Sequence, residues 1–259
     1  MKKRLISAFI ALIISIPIII EGGYLFYIFA ILLSLIGLRE FLNLITKDDF
    51  TKLISYFVFL VIIGSNLFKS NFDNILDNKF ISIIFLLYMI VMLLKYKNLK
   101  LNNGFYLMGI TIILAISFSS IIITRNIGLN YLLYILILPF SNDTFAHLIG
   151  SKIGKHKINS ISPNKSWEGC LFGLLFGSLI STIFYLAFIN NEINIFLIII
   201  INIILSIIGQ LGDLFFSHIK REYNIKDFSN LMPGHGGVLD RLDSVIFVVL
   251  AFSFFITFM

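Results

Sequence analysis

The chain has 259 residues, of which 58% are hydrophobic and 13% charged, with a formal net charge of +6 and a mean hydropathy of +0.98. Soluble globular domains carry about 25% charged residues, so this composition excludes an ordinary soluble enzyme, and recurring apolar runs leave no length for a separate soluble domain. The excess of Lys and Arg needs no nucleic-acid partner, because a membrane protein uses it to set topology.

Nine helices are predicted in chain order, over residues 5–20, 24–46, 53–68, 80–94, 105–124, 128–149, 169–189, 193–216 and 238–258. A hydrocarbon core of about 30 Å takes about 20 apolar residues, so the fourth run is the shortest fit to a span. The first run follows Lys2, Lys3 and Arg4 as a signal peptide would. No A-x-A-like site follows it, and Glu21-Gly22-Gly23 leads into a second apolar run, which favours a retained helical hairpin. The expected fold is an all-α polytopic membrane protein of about nine transmembrane helices, forming one integral membrane domain over residues 1–259. Residues 1–124 carry no readable chemistry, and residues 125–259 form the half expected to be catalytic.

Orientation follows from the loops between these runs. With the N-terminus in the cytoplasm, the inner segments hold Lys2, Lys3, Arg4, Lys47, Lys52, Lys95, Lys97, Lys100, Lys152, Lys155, Lys157, Lys165, Lys220, Arg221 and Lys226. The outer ones hold only Lys69, Lys79 and Arg125. This asymmetry obeys the positive-inside rule for an odd helix count and puts the C-terminus on the opposite side. Both unusually polar loops, 151–168 and 217–237, then face the cytoplasm, as one site built from two loops would require.

The residues in and around these loops suggest phosphate chemistry. Asp240 and Asp243, three apart at the start of the last helix, share a face, and Asp213 follows Gly209-Gln210-Leu211-Gly212 on the eighth. Carboxylates gathered in this way suit a hard cation such as Mg²⁺, which takes one or two protein carboxylates and completes its shell with water and phosphate. Lys220, Arg221, Lys226 and Arg241 either neutralise phosphate oxygens or act as ordinary inner-side anchors. Asp240 and Asp243 equally suit the cap and first turn of a helix. Asp213 has no such use near a helix C-terminus. The turn Pro233-Gly234-His235-Gly236-Gly237 can bring backbone N–H groups close to an anion.

At these positions the chain resembles the phosphatidate cytidylyltransferase, or CDP-diacylglycerol synthase, family. The matching residues are Ser217, Lys220-Arg221, Lys226-Asp227, Ser229, Pro233, His235-Gly236-Gly237, Asp240-Arg241 and Asp243, with Met232 as a conservative departure. The earlier loop is also similar, through Asp143, Gly150, Gly154-Lys155 and Ile161-Ser162-Pro163-Asn164-Lys165-Ser166-Trp167-Glu168-Gly169. There His147 stands where the family often has an aromatic residue, and Ser151-Lys152 replaces an Arg whose role cannot be carried over.

The resemblance implies attack of the phosphatidic acid phosphate on the α-phosphorus of CTP, giving CDP-diacylglycerol and pyrophosphate without a Ser or Cys nucleophile. It implies Asp213, Asp240 and Asp243 as metal ligands and, with Lys226 and His235, as the catalytic set. His235 either donates to a phosphate or orients a carboxylate. Asp143, Lys165, Ser217, Lys220, Arg221, Gly236, Gly237 and Arg241 are implied as substrate contacts. It further implies Mg²⁺, a possible monovalent cation such as K⁺, a homodimer, and a bacterial cytoplasmic membrane with the site facing inwards among membrane lipids.

Other features carry less. Gly169, Gly173 and Gly177 are spaced for close helix packing, with lipid entry as the alternative. Cys170, the single cysteine, is expected in the core. His147, His156 and His218 lack metal-site spacing, and Arg39-Glu40 forms a local ion pair or supports the site from a distance. A CTP-dependent lipid kinase and a secondary transporter are the rival classes. The kinase is not expected to carry the full 217–243 pattern, and the transporter would show internal repeats and midplane charges.

Overall fold

The computed structural model of the chain describes residues 2–69, 78–94, 101–158, 162, 165–190, 192–232, 234 and 236–256. These form nine helices: α1 (Lys2–Glu21), α2 (Gly23–Ile45), α3 (Asp49–Lys69), α4 (Asn78–Leu94), α5 (Leu101–Ile127), α6 (Leu129–Ile153), α7 (Trp167–Phe188), α8 (Ile195–Glu222) and α9 (Leu239–Phe255). Among the described residues there is no strand, only isolated bridges between Lys157 and Ser166 and between Met232 and Gly236. Helices α2, α3, α5, α6, α7 and α8 are long and apolar enough to cross a membrane by length and composition.

The main departure from the sequence expectation is at α8. It was expected to end at residue 216 but continues to Glu222, so Ser217, Lys220 and Arg221 stand on its last two turns and not in a loop. No Gly or Pro interrupts residues 213–223, and Lys, Arg and Glu are good helix formers, so the backbone stays helical after the apolar run stops. The helix ends where Asn224 takes a left-handed conformation at φ 56°. Helix α6 likewise runs past the expected residue 149, to Ile153.

The chain divides into two compact units, residues 1–126 with 227–240, and residues 127–226 with 241–259. In the first, α5 is the central helix: 78% of its apolar span is buried, against 44% for α2 and 39% for α3. Two of its hydroxyls turn back into the helix, Thr111 Oγ1 donating to Leu107 O at 2.6 Å and Ser119 Oγ to Ala115 O at 2.7 Å, which satisfies them in apolar surroundings. Helices α1 and α2 are separated only by Gly22, at φ +73°. The orphan carbonyls of Ile19 and Ile20 at the end of α1 accept from Arg125 at 2.7 and 2.8 Å.

In the second unit the glycine stripe of α7 packs directly on α6. A Cβ at Gly169 would stand 2.7 Å from Ala146 O, one at Gly173 2.7 Å from Asn142 O, and one at Gly177 would overlap Asn142 Oδ1. Close packing, and not a lipid opening, is therefore what these glycines provide. The approach seats the buried Asn142 amide against α8, where Oδ1 accepts from Ser206 Oγ at 2.9 Å and Nδ2 donates to Ser206 O at 3.3 Å. Deeper in the unit, Tyr134 Oη donates to Asn202 Oδ1 at 2.6 Å and Asn202 Nδ2 to Thr182 Oγ1 at 3.0 Å.

Gly173→Ala should therefore destabilise the protein by about 1–3 kcal/mol through overpacking against a backbone carbonyl. Gly109→Ala, where nothing lies within 4 Å of the new Cβ, should be neutral or stabilising by up to about 1 kcal/mol. Thermal midpoints in one detergent should fall for Gly173→Ala and hold or rise for Gly109→Ala.

Candidate active site

In the second unit a polar cluster forms where α6, α7 and α8 present ionisable side chains. Asp213 on α8 pairs through Oδ2 with Lys165 Nζ, and its Oδ1 accepts from Ser217 Oγ, one turn on, at 3.2 Å. Asp143 on α6 interacts electrostatically with both Asp213 and Lys165. Asp143, Lys165 and Asp213 line a cavity of about 190 Å³ together with Ala146, His147, Ser166, Gly169 and Cys170. Asp243 on α9 is 9% exposed and lies within electrostatic reach of Asp213, Lys220 and Asp143.

Lys165 is held in place by the segment that carries it. Ile158 N donates to Lys165 O at 3.2 Å and Trp167 N to His156 O at 2.9 Å, closing a hairpin between α6 and α7. Ser166 caps α7 by accepting from Gly169 N at 3.1 Å, and Gly154 lies so close to Ser166 that a Cβ there would overlap the hydroxyl. Glu168 accepts from His156 N at 3.2 Å and meets its Nδ1 at 2.6 Å. The cap, the hairpin and the α6–α7 contact together bring the Lys165 ammonium to the Asp213 carboxylate.

The charge balance decides what the cluster can bind. Asp143, Asp213 and Asp243 outnumber Lys165 and Lys220, so with the carboxyls ionised a polyanion would be repelled without further cations. Among the described residues no group of three or more His, Cys, Asp or Glu side chains is arranged to hold a metal ion. Asp143 and Asp213 do line one cavity. Mg²⁺ usually takes one or two carboxylates from a protein when phosphates and water complete its shell, so the donor set fits that ion.

The second polar segment is held differently. The turn closes through Met232 N donating to Gly236 O at 2.9 Å, with Gly234 and Gly236 at φ +81° and +83°. Asp240 Oδ2 accepts from Phe228 N at 2.8 Å and Gly237 N at 2.9 Å. Glu40 of α2 accepts from Ser229 Oγ at 2.6 Å, Val238 N at 3.0 Å and Leu239 N at 3.0 Å. Backbone N–H groups do meet anions at this helix start, as expected, but for Gly237, Val238 and Leu239 the anions are the protein's own carboxylates. Gly236 and Gly237, expected as substrate contacts, each have a packing reason: a Cβ at Gly236 would stand 2.7 Å from Asp240 Oδ2, and one at Gly237 would collide with the Glu40 carboxylate.

The expected site residues thus fall into groups. Asp143, Lys165, Asp213, Ser217, Lys220 and Asp243 share the second unit, with Ser217 serving Asp213. Asp240 holds its own loop. Arg221 donates to Ile225 O at 3.0 Å, closing the turn after α8. Lys226 and Arg241 are exposed. His235 and Pro233 lie outside the described residues. The sequence reading undervalued His147 and Cys170, which line the cavity; Cys170 is half-buried and not a core residue. It also left Glu40 undecided. Glu40 is buried while Arg39 is exposed, so adjacency in sequence does not decide between the two readings left open, and only the rarity of an acid within an apolar helix pointed to it.

A sequence model of the cytidylyltransferase family matches residues 2–259. The chain is similar to the phosphatidate cytidylyltransferase of Staphylococcus haemolyticus (strain JCSC1435), at 41% identity over 256 residues covering 96% of each chain. It is 39% identical over 253 residues to the protein of the same name from Staphylococcus aureus (strain COL), again covering 96% of each. For that of Staphylococcus saprophyticus the figures are 37% over 252 residues and the same coverage.

Removing the cation from the pair should cost more than removing the pair. Lys165→Ala should lower stability by about 1–3 kcal/mol, less than for a fully buried pair because the two side chains keep 24% and 20% exposure. Adding Asp213→Asn to that variant should restore part of the loss. Thermal unfolding of the two variants beside wild type, in one detergent, reads the difference.

Proposed function

The chain belongs to the cytidylyltransferase family, and from that premise we propose that it transfers the cytidylyl group of CTP to phosphatidic acid, giving CDP-diacylglycerol and pyrophosphate. The observation that carries the reading at the level of residues is the Lys165–Asp213 pair beside Asp143 in one cavity. A phosphate oxygen of the lipid forms the new bond to the α-phosphorus of CTP, and the bond from that phosphorus to the bridging oxygen breaks as pyrophosphate leaves. No proton has to be removed from an ionised phosphate, so the protein's task is to position two polyanions and balance their charge.

Each residue has a part that follows from its surroundings. Lys165 is fixed by the hairpin and cap described above and places a positive charge in the cavity. Ser217 and Lys165 between them fix both oxygens of Asp213. Lys220, only 9% exposed, offsets Asp243. Exposed Lys226 and Arg241 raise the local concentration of anionic substrates. Asp213 and Asp143 are the residues that would hold Mg²⁺, with Asp243 in support, and Mg²⁺ bound there would screen the phosphate oxygens and stabilise charge on the leaving pyrophosphate. Of the acids expected as ligands, Asp240 is the one with a separate use, because it holds the turn before α9.

The topology supports a cytoplasmic active face. The Lys165 hairpin follows α6 and the 223–238 segment follows α8, so an N-terminus in the cytoplasm brings both to the side where CTP is found. The Lys and Arg asymmetry favours that orientation, with nine spans and the C-terminus outside, in a bacterial cytoplasmic membrane.

Detergent-purified protein given CTP labelled at the α-phosphorus, phosphatidic acid and Mg²⁺ should place label in CDP-diacylglycerol and release an equal amount of pyrophosphate. A chelator should abolish turnover reversibly. Asp213→Asn should lower kcat/KM by about 100-fold or more, and Asp240→Asn should also lose activity through its turn. Label in CMP alone, or transfer of the γ-phosphate to a lipid alcohol, would overturn the reading in favour of a lipid kinase or a hydrolase.

A further inference from the structure

We propose that Glu40 is a positioning residue for cytidylyl transfer, acting through the turn that starts α9. The inference rests on the activity proposed above. Glu40 sits in the last turns of α2, an otherwise apolar helix, and is 6% exposed. A carboxylate persists in such surroundings only where donors meet it. Here three do: Oε1 takes the Ser229 hydroxyl at 2.6 Å and Val238 N at 3.0 Å, and Oε2 takes Leu239 N at 3.0 Å. The partners lie 189 to 199 residues away in the chain, so this is a tertiary clamp on the 227–240 segment and not a local cap.

The clamp and Asp240 divide one task between them. Successive amides of Gly237, Val238 and Leu239 each donate to a carboxylate, the first to Asp240 and the next two to Glu40. Val238 and Leu239 are 2% and 0% exposed, so without Glu40 their N–H groups have no solvent to turn to, and the turn that also fixes Asp240 must rearrange. Two glycines make room for the arrangement: a Cβ at Gly237 would collide with the Glu40 carboxylate, and one at Gly37, on the same face of α2, would come within 3.2 Å of Leu239. Asp240 stands in this same turn, so its placement is set by an acid with no need to touch substrate.

The test compares full-length wild type, Glu40→Gln, Ser229→Ala and the double variant, by steady-state kinetics and by amide hydrogen exchange over residues 226–240. Gln keeps the shape but turns a donor towards one of the three donors. Glu40→Gln should lower kcat about 10- to 100-fold with the KM for CTP within about threefold, and should speed exchange at Val238 and Leu239. Ser229→Ala, the milder change, should lower kcat about 3- to 10-fold, and the loss in the double variant should be smaller than the product of the two single losses because both changes weaken one clamp. Unchanged exchange, faster exchange with kcat unchanged, or a kcat loss that only tracks the loss of folded protein would overturn the proposal. Folded wild-type protein that makes no CDP-diacylglycerol would overturn the reaction itself, which the wild-type arm reads separately from the Glu40 arms.

Discussion

A carboxylate held among apolar helices must be met by a cation or by hydrogen-bond donors, and the polar architecture of this protein follows from that requirement. Asp213 meets it with Lys165 and Ser217. Asp240 meets it with two backbone amides of its own loop, and Glu40 with a hydroxyl and two amides from a segment far away in the chain. In each case the donor must be carried to the acid by ordered backbone, so the loops next to these acids are built as hairpins and caps.

The packing of the second unit serves the first of these pairings. Gly169, Gly173 and Gly177 remove the side chains that would separate α7 from α6, and the contact fixes α7 at the level of Asn142 and Ala146. Asp143 follows Asn142 directly, and Ser166 and Lys165 immediately precede α7. A single close approach therefore determines where a carboxylate of α6 and an ammonium group before α7 meet the carboxylate of α8. Gly169 lines the cavity itself, and Gly173, Gly177 and Asn142 shape it through the helix contact.

Much of this was legible in the sequence because membrane burial writes a coarse signal. All nine apolar runs became helices, and Asp143, Lys165 and Asp213 stood out as charges in or beside them. The ends of α6 and α8 were not legible, because hydropathy reports where an apolar span stops and not where hydrogen bonding stops; Lys220, Arg221 and Glu222 are charged yet good helix formers. Nor was the use of Gly236 and Gly237 legible, since a Gly-rich turn at a helix start looks the same whether the anion it faces is a ligand or a side chain. Glu40 was the hardest case. Its neighbour Arg39 offered a local partner, and nothing in the sequence reveals that one side chain is buried and the other exposed, or that the donors come from residues 229–239.

The proposed reaction is a direct displacement in which the chain supplies position and charge and never a covalent bond. The stereochemical course at the α-phosphorus tests this most directly, using a single diastereomer of CTP with sulfur in place of one α-oxygen. Transfer to phosphatidic acid should give CDP-diacylglycerol with inverted configuration, as one in-line displacement requires. Retention would require two displacements through a cytidylyl group bonded to the protein, and would contradict a site built only to position two phosphates.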